Sequence, residues 1–237
     1  MWWEQKKEVW QKTLSSKRSG RFYVENLGFK VPFLFWSGKE IEEIPEFSFL
    51  PENFVIKPSE GWSSKHVYCM KNGFDILTHK QYSRTEIIEA LKNDDFLLLK
   101  KPEILIEELL QPEEAESQFS IPRDYKFFCF GEEIALVHVV LRLSEVDASL
   151  NQHHYLDSNF HLLPFHVLQG RPQSEQELEK PKCWDEMVSM VRQIGKELGI
   201  FMRIDVFPTI RGCVFGEFTP TPHVGRSEEH TSELQSP

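Results

Sequence analysis

Residues 203–222 read RIDVFPTIRGCVFGEFTPTP, two apolar runs separated by a short break. Such runs, rich in Phe, Val and Ile around turn residues, predict an antiparallel hairpin. Each run carries one acid, Asp205 in the first and Glu217 in the second. A carboxylate set into a strand needs a cation or a metal, because burying it alone forces it to take up a proton or costs heavily. In a hairpin paired near its middle the two acids project to the same side. Thr219 shares the face of Glu217, and Arg203 that of Asp205. Oxygen ligands of this kind suit Mg²⁺, which keeps its waters and shares phosphate oxygens. Arg203 would offset the acids' charge or stabilise a developing oxyanion. The plain alternative is a surface hairpin with an Arg/Asp/Glu ion-pair cluster.

A second element is FVIKPSEGWSSKHVY at 54–68. Lys57 follows three apolar strand residues, so its stem is expected to be buried and its ammonium to need an anion. The loop beyond it, with Gly61, Ser63 and Ser64, can lay backbone N–H groups over a phosphate. It is not a helix-opening phosphate loop, whose GxxxxGK[ST] pattern is absent. A snorkelling lysine before an ordinary turn is the simpler reading. The third element, ILIEELLQ at 104–111, runs apolar residues into Glu107, Glu108, Leu109 and Leu110. An adenine ring needs an apolar slot with one backbone donor and one acceptor, which an extended segment supplies. A strand end with solvated glutamates is the alternative.

Strands and helices are mixed along the rest of the chain without strict alternation, which predicts an α+β fold in two lobes. A helix is expected over 3–17, a capped one from Ser83 with Glu86 as the capping-box acid, and an amphipathic one over 184–198. FKVPFLFW, NFVIKP, HVYCM, FDILT, DFLLLKK and EILIEELL read as strands, and DYKFFCFGEEIALVHVVLRL as a hairpin turning at Gly131. His153, His154, His161 and His166 lack any zinc-binding spacing. The formal charge of −10 argues against a general nucleic-acid or anionic-membrane binder, while leaving room for a local basic site. Four scattered cysteines without a CxxC pair read as buried thiols of a reducing, cytoplasmic compartment. No apolar run is long enough for membrane insertion.

The order of these parts (Lys-bearing strand, small-residue loop, EELL, RxD strand, ExT strand) resembles the ATP-grasp superfamily from about Leu50 to Gly225. LPENFVIKPS, IPRDYKFFCFGE, HHYLDSNFHLLPF, KPKCWDEMV and MRIDVF…GCVFGEFTPTP are most similar to its TupA-like branch, associated with cell-surface polysaccharide and teichuronopeptide biosynthesis. The resemblance implies an ATP-grasp fold: an N-terminal segment over 1–48, a small lobe over 49–110 and a large lobe over 111–225. It implies ATP and Mg²⁺ as cofactors. Lys57 would lie on the phosphates, with Gly61, Ser63 and Ser64 in a phosphate lid and Glu107, Glu108 and Leu110 at the adenine. Asp124 would bind the ribose, and Lys126 would lie near the nucleotide. Asp205 and Glu217 would hold the metal, and Thr219 stands where many of these enzymes carry an asparagine. The implied activity is a carboxylate–amine ligase whose substrates are small-molecule, glycan or peptide carboxylates and amines, with Lys57 and Arg203 as its catalytic cations. A glycan phosphotransferase, with Asp157 as its base, and a nucleotide-binding subunit without chemistry are the alternatives. The last twelve residues, RSEEHTSELQSP, resemble the in-frame translation of a sequencing adapter, so 226–237 is expected to be a non-native tail and the natural C-terminus to be missing.

Overall fold

The computed structural model describes residues 10–60, 65–113, 121–141, 151–164, 174 and 177–221. The chain divides into two compact units, one of Met1–Val31 with Arg123–Pro237, the other Pro32–Pro122. Both are antiparallel sheets backed by helices, the α+β class expected.

The Pro32–Pro122 unit contains strands β1 (Leu34–Gly38), β2 (Asn53–Pro58), β3 (Tyr68–Lys71), β4 (Phe74–Asp75), β5 (Lys80–Gln81) and β6 (Ile104–Glu108). They lie in the order β1-β6-β2-β3-β4-β5. Along β2 burial alternates: Phe54 and Ile56 enter a core with Met70, Ile87, Leu91, Leu97 and Ile106, while Val55 and Lys57 take the other face. Helix α1 (Lys17–Asn26) belongs to the other unit; here α2 (Arg84–Lys92) and α3 (Asp95–Lys100) cover the core. Ser83 caps α2 through the expected box with Glu86. Asp75 is fully buried and spent on the chain itself, accepting from Cys69 N–H at 2.8 Å and Thr78 Oγ1 at 2.7 Å.

DFLLLKK is a helix rather than the expected strand. Asp94 accepts the Leu97 N–H at 3.0 Å, a side-chain cap that satisfies an otherwise orphaned donor. Lys101 then ends the helix in the left-handed region at φ 45°. FDILT keeps only two residues in a strand. At the N-terminus, Trp10–Ser15 forms a 3-10 turn and the α-helix begins at Lys17, later than the apolar spacing implied; residues 3–9 of that expectation lie outside the described residues.

The other unit is a five-stranded sheet, with β7 (Tyr125–Phe130), β8 (Glu133–Leu141), β9 (Gln152–Leu156), β10 (Phe201–Thr209) and β11 (Gly212–Thr219) in the order β11-β10-β7-β8-β9. One face packs on α4 (Trp184–Leu198), the helix the sequence predicts. Phe127, Cys129, Val137, Val139, Met202, Ile204 and Val206 meet Trp184, Met187, Val191 and Ile194 there. Gly131 turns β7 into β8 at φ 60°, and α4 crosses that turn so closely that a Cβ on Gly195 would lie 2.1 Å from the Gly131 carbonyl oxygen. Because apolar residues alternate onto the helix face, the intervening polar ones share the opposite face, where the site lies. No described helix is long and apolar enough to cross a membrane.

Candidate functional site

The terminal hairpin places its acids side by side. Asp205 on β10 pairs with Glu217 on β11, and Arg203 with Thr219. Simple alternation would not give this register; a bulge between Asp205 and Val206 does. Val206 faces Phe215 and Asp205 faces Glu217, so Gly216 is the extra residue. A Cβ there would come within 2.6 Å of the Phe207 ring and 3.1 Å of the Asp205 carbonyl oxygen, so the bulge takes glycine.

Arg203 holds both acids. Its Nε donates to Asp205 Oδ1 at 2.7 Å and its Nη2 to Asp205 Oδ2 at 2.8 Å, and Nη2 also reaches Glu217 Oε1 at 3.3 Å. On the other side β7 pairs Lys126 with Asp205, and Lys126 Nζ donates to Asp205 Oδ2 at 3.0 Å. The same ammonium is paired with Asp124. Lys17 Nζ stands 3.8 Å from Glu217 Oε2. Asp205 is 2% and Arg203 8% exposed, while the Glu217 side chain is 37% exposed, so the Arg203–Asp205 pair is buried and Glu217 lies at its open edge. Burial pushes the Asp205 carboxyl up, but Arg203 and Lys126 outweigh it and hold it below the ordinary range. Burial likewise works against the Lys126 and Arg203 cations, and the acids beside them keep both protonated. For Asp124 burial wins, and its carboxyl is pushed up despite Lys126.

Asp205 and Glu217, each already paired with a cation, are the two carboxylates here that could hold a magnesium ion. Two carboxylates lie in register around one guanidinium nitrogen, and no group of three or more His, Cys, Asp or Glu forms a metal cluster among the described residues. Mg²⁺ is commonly held by one or two carboxylates, with waters and phosphate oxygens completing its octahedron. Asp124 Oδ1 is buried and has no hydrogen-bond partner among the described residues.

In the Pro32–Pro122 unit, Lys57 is ion-paired with Glu107, which is 3% exposed. The two sit on neighbouring strands, Lys57 opposite Leu105 and Val55 opposite Glu107. Glu108 is tied to the chain before β1: its N–H donates to the Phe33 carbonyl at 2.8 Å, and its Oε2 accepts the Phe33 N–H at 3.1 Å. Leu109 and Leu110, where the backbone leaves the ladder, are buried. Gly61, Ser63 and Ser64 lie outside the described residues.

Asp157 is built into a turn, its Oδ1 accepting from the N–H groups of Asn159 at 2.8 Å and His161 at 2.9 Å. Burial pushes it up, but those bonds prevail and hold it below the ordinary range, which makes it a poor base. The sequence reading missed His138 and Tyr155. His138 is a lone polar residue in the apolar run IALVHVV, the same signal that singled out Asp205. It is buried on β8, with Nε2 3.0 Å from His153 Nδ1.

Two antiparallel α+β units agree with the ATP-grasp fold. A model of the TupA-like ATP-grasp family matches residues 4–236, and the chain belongs to that family. No curated protein matches by sequence. Among solved structures it is similar to the D-alanine–D-alanine ligase of Bacillus anthracis complexed with ATP (TM-score 0.52, 13% identity, 88% of this chain and 55% of that one). It is also similar to the VanG D-Ala:D-Ser ligase of Enterococcus faecalis (TM-score 0.52, 18% identity, 88% and 53%). A third is the ATP-grasp ligase PsnB complexed with a phosphomimetic variant of its minimal precursor, Mg and ADP (TM-score 0.50, 11% identity, 89% and 51%). The chain thus spans about half the length of these structures, and at such identities the likeness is one of fold.

Proposed function

We propose that this chain is an ATP- and Mg²⁺-dependent carboxylate–amine ligase acting in the assembly of a cell-surface polysaccharide or peptide polymer. The observation that carries the reading is the opposition of Asp205 and Glu217 around the buried Arg203, in a chain of the TupA-like ATP-grasp family. Asp205 and Glu217 would hold the metal, which neutralises charge on the phosphates when bound. Lys57 neutralises phosphate oxygens. Asp124 accepts from the ribose, Lys126 fixes Asp124 and Asp205, and the EELL segment receives the adenine. A substrate carboxylate attacks the terminal phosphorus to give an acyl phosphate, and an amine then displaces phosphate at the acyl carbon. Arg203 faces the negative charge of that tetrahedral step.

The depressed carboxyl of Asp157 argues against the glycan phosphotransferase, whose base it would have been. Phosphate release from ATP, measured with pooled carboxylic acids, with acids plus amines, and with neutral sugars, tests the reading. Release that requires an acid and an amine supports ligation. Transfer to a neutral sugar supports the phosphotransferase, and ATP binding without release supports the non-catalytic subunit.

A further inference from the structure

On the five-stranded sheet, the residues that face away from α4 fall into successive rows. Glu217, Asp205, Lys126, His138 and Tyr155 stand opposite one another in one row that crosses all five strands. Thr219, Arg203, Phe128 and Leu136 form the next row, and Phe201 opposite Phe130 the one after it. Along β10 the face thus changes from a carboxylate to a guanidinium to a phenyl ring. Residues two apart in a strand are separated by about 7 Å, so Phe201 lies one such step beyond Arg203, which lies one step beyond Asp205. Phe128 flanks Arg203 directly.

A sheet packed on a helix at one face ordinarily carries polar residues on the other. At 128, 130 and 201 this chain carries phenylalanine instead. The Phe201 ring lies 4.9 Å from that of Phe130 and 6.4 Å from that of Phe128, centroid to centroid. The core does not need them, because Phe127, Cys129 and Met202 fill the α4 side of the same strands. Phe128, Phe201 and the neighbouring Leu136 are half-buried, and Phe130 is 60% exposed. Rings that hold one another in place while open to water present apolar area to a ligand.

The order along β10 indicates which ligand. In the proposed reaction the terminal phosphate lies with the metal at Asp205 and Glu217, and the acyl carbon bonded to it faces Arg203. The substituent on that carbon then continues in the same direction, onto the rings. Phenyl faces offer no hydrogen-bonding group to a sugar hydroxyl or a charged side chain, which would lose water there without replacement. An apolar side chain gains by leaving water. We infer that Phe128, Phe130 and Phe201 form the acyl-donor subsite and select an amino-acid or peptide carboxylate with an aromatic or branched aliphatic side chain. This rests on the ligase reading and narrows it to a peptide-type donor.

Hydroxylamine captures an acyl phosphate as a hydroxamate, so the donor can be read whatever the natural amine is. The full chain and its Phe130→Ser and Phe130→Leu variants are supplied with ATP, Mg²⁺, hydroxylamine and one acid at a time. The acids are N-acetylglycine, N-acetylleucine, N-acetylphenylalanine and glucuronic acid. The unmodified chain is expected to show kcat/KM at least tenfold higher for the leucine and phenylalanine acids than for the other two, the scale of covering one apolar side chain. Phe130→Ser is expected to erase most of that preference, and Phe130→Leu, which keeps an apolar side chain, to retain most of it. Equal kcat/KM for the four acids, or a preference for glucuronic acid, overturns the assignment, and so does a Phe130→Ser variant with its preference intact. A KM for ATP raised alike with every acid, at unchanged preference, would put the rings at the nucleotide and overturn it too. If no acid yields hydroxamate, the ligase reading itself fails and takes the subsite with it.

Discussion

Arg203 grips Asp205 in the same strand through two hydrogen bonds, Nε to Oδ1 at 2.7 Å and Nη2 to Oδ2 at 2.8 Å, and extends Nη2 to Glu217 at 3.3 Å. A planar fork can do this and a point charge cannot. Arg203→Lys is therefore expected to slow acceptor-dependent phosphate release about 100-fold, the scale of losing one aimed donor. Phosphate-release assays check this, and a loss below about threefold would show that the fork is not needed.

Lys57 and Glu107 pair in a largely buried setting, so structural and functional losses can be separated. Lys57→Ala leaves a buried carboxylate without its ammonium and is expected to cost about 3 kcal/mol. The double variant Lys57→Met with Glu107→Gln removes both charges and is expected to recover most of that stability, while ATP binding stays weak in both. Urea melts and nucleotide titration make the comparison.

Gly216 tests the bulge. A Cβ there would meet the Phe207 ring at 2.6 Å and the Asp205 carbonyl at 3.1 Å. Gly216→Ala is expected to displace Glu217 from Asp205, weakening Mg²⁺-dependent nucleotide binding about tenfold and costing about 1–3 kcal/mol of stability. The ratio of ATP affinity with Mg²⁺ to that with EDTA reports the first effect and urea melts the second.

Asp94 gives a pH dependence. Lys65 is the main cause that holds its carboxyl well below the ordinary range; burial opposes the shift, while the Leu97 N–H and His66 add to it. A carboxyl depressed in the folded state stabilises it fully at neutral pH and loses that contribution as pH falls below about 4, where the unfolded chain takes up the proton first. Asp94→Asn keeps the cap acceptor but loses the ion pairs, so it is expected to cost about 1 kcal/mol at pH 7 and progressively less below pH 4. Urea midpoints across that range measure the convergence.

How far the sequence was legible depends on whether a signal was local. The α4 helix, the Ser83–Glu86 box and the β7–β8 turn at Gly131 follow from patterns within a few residues, and each is found. In DFLLLKK the leucines suit helix and strand alike; the deciding residue was Asp94, a cap one position upstream of the run. Asp205 and Glu217 stood out because each is a lone acid in an apolar run, but their exact opposition needed the Gly216 bulge, which alternation alone does not foretell. The Lys57–Glu107 pair and the row from Glu217 to Tyr155 are products of strand order, information carried by no single stretch.

Asp205 and Glu217 are proposed as the metal half of an ATP site. Calorimetric titration of ATP into the chain with Mg²⁺, repeated with EDTA and with Asp205→Asn and Glu217→Gln, tests it most directly. Binding is expected to weaken at least tenfold without Mg²⁺, with the Mg²⁺ dependence largely lost in both variants. Binding that ignores the metal, or variants that retain its full effect, would contradict it.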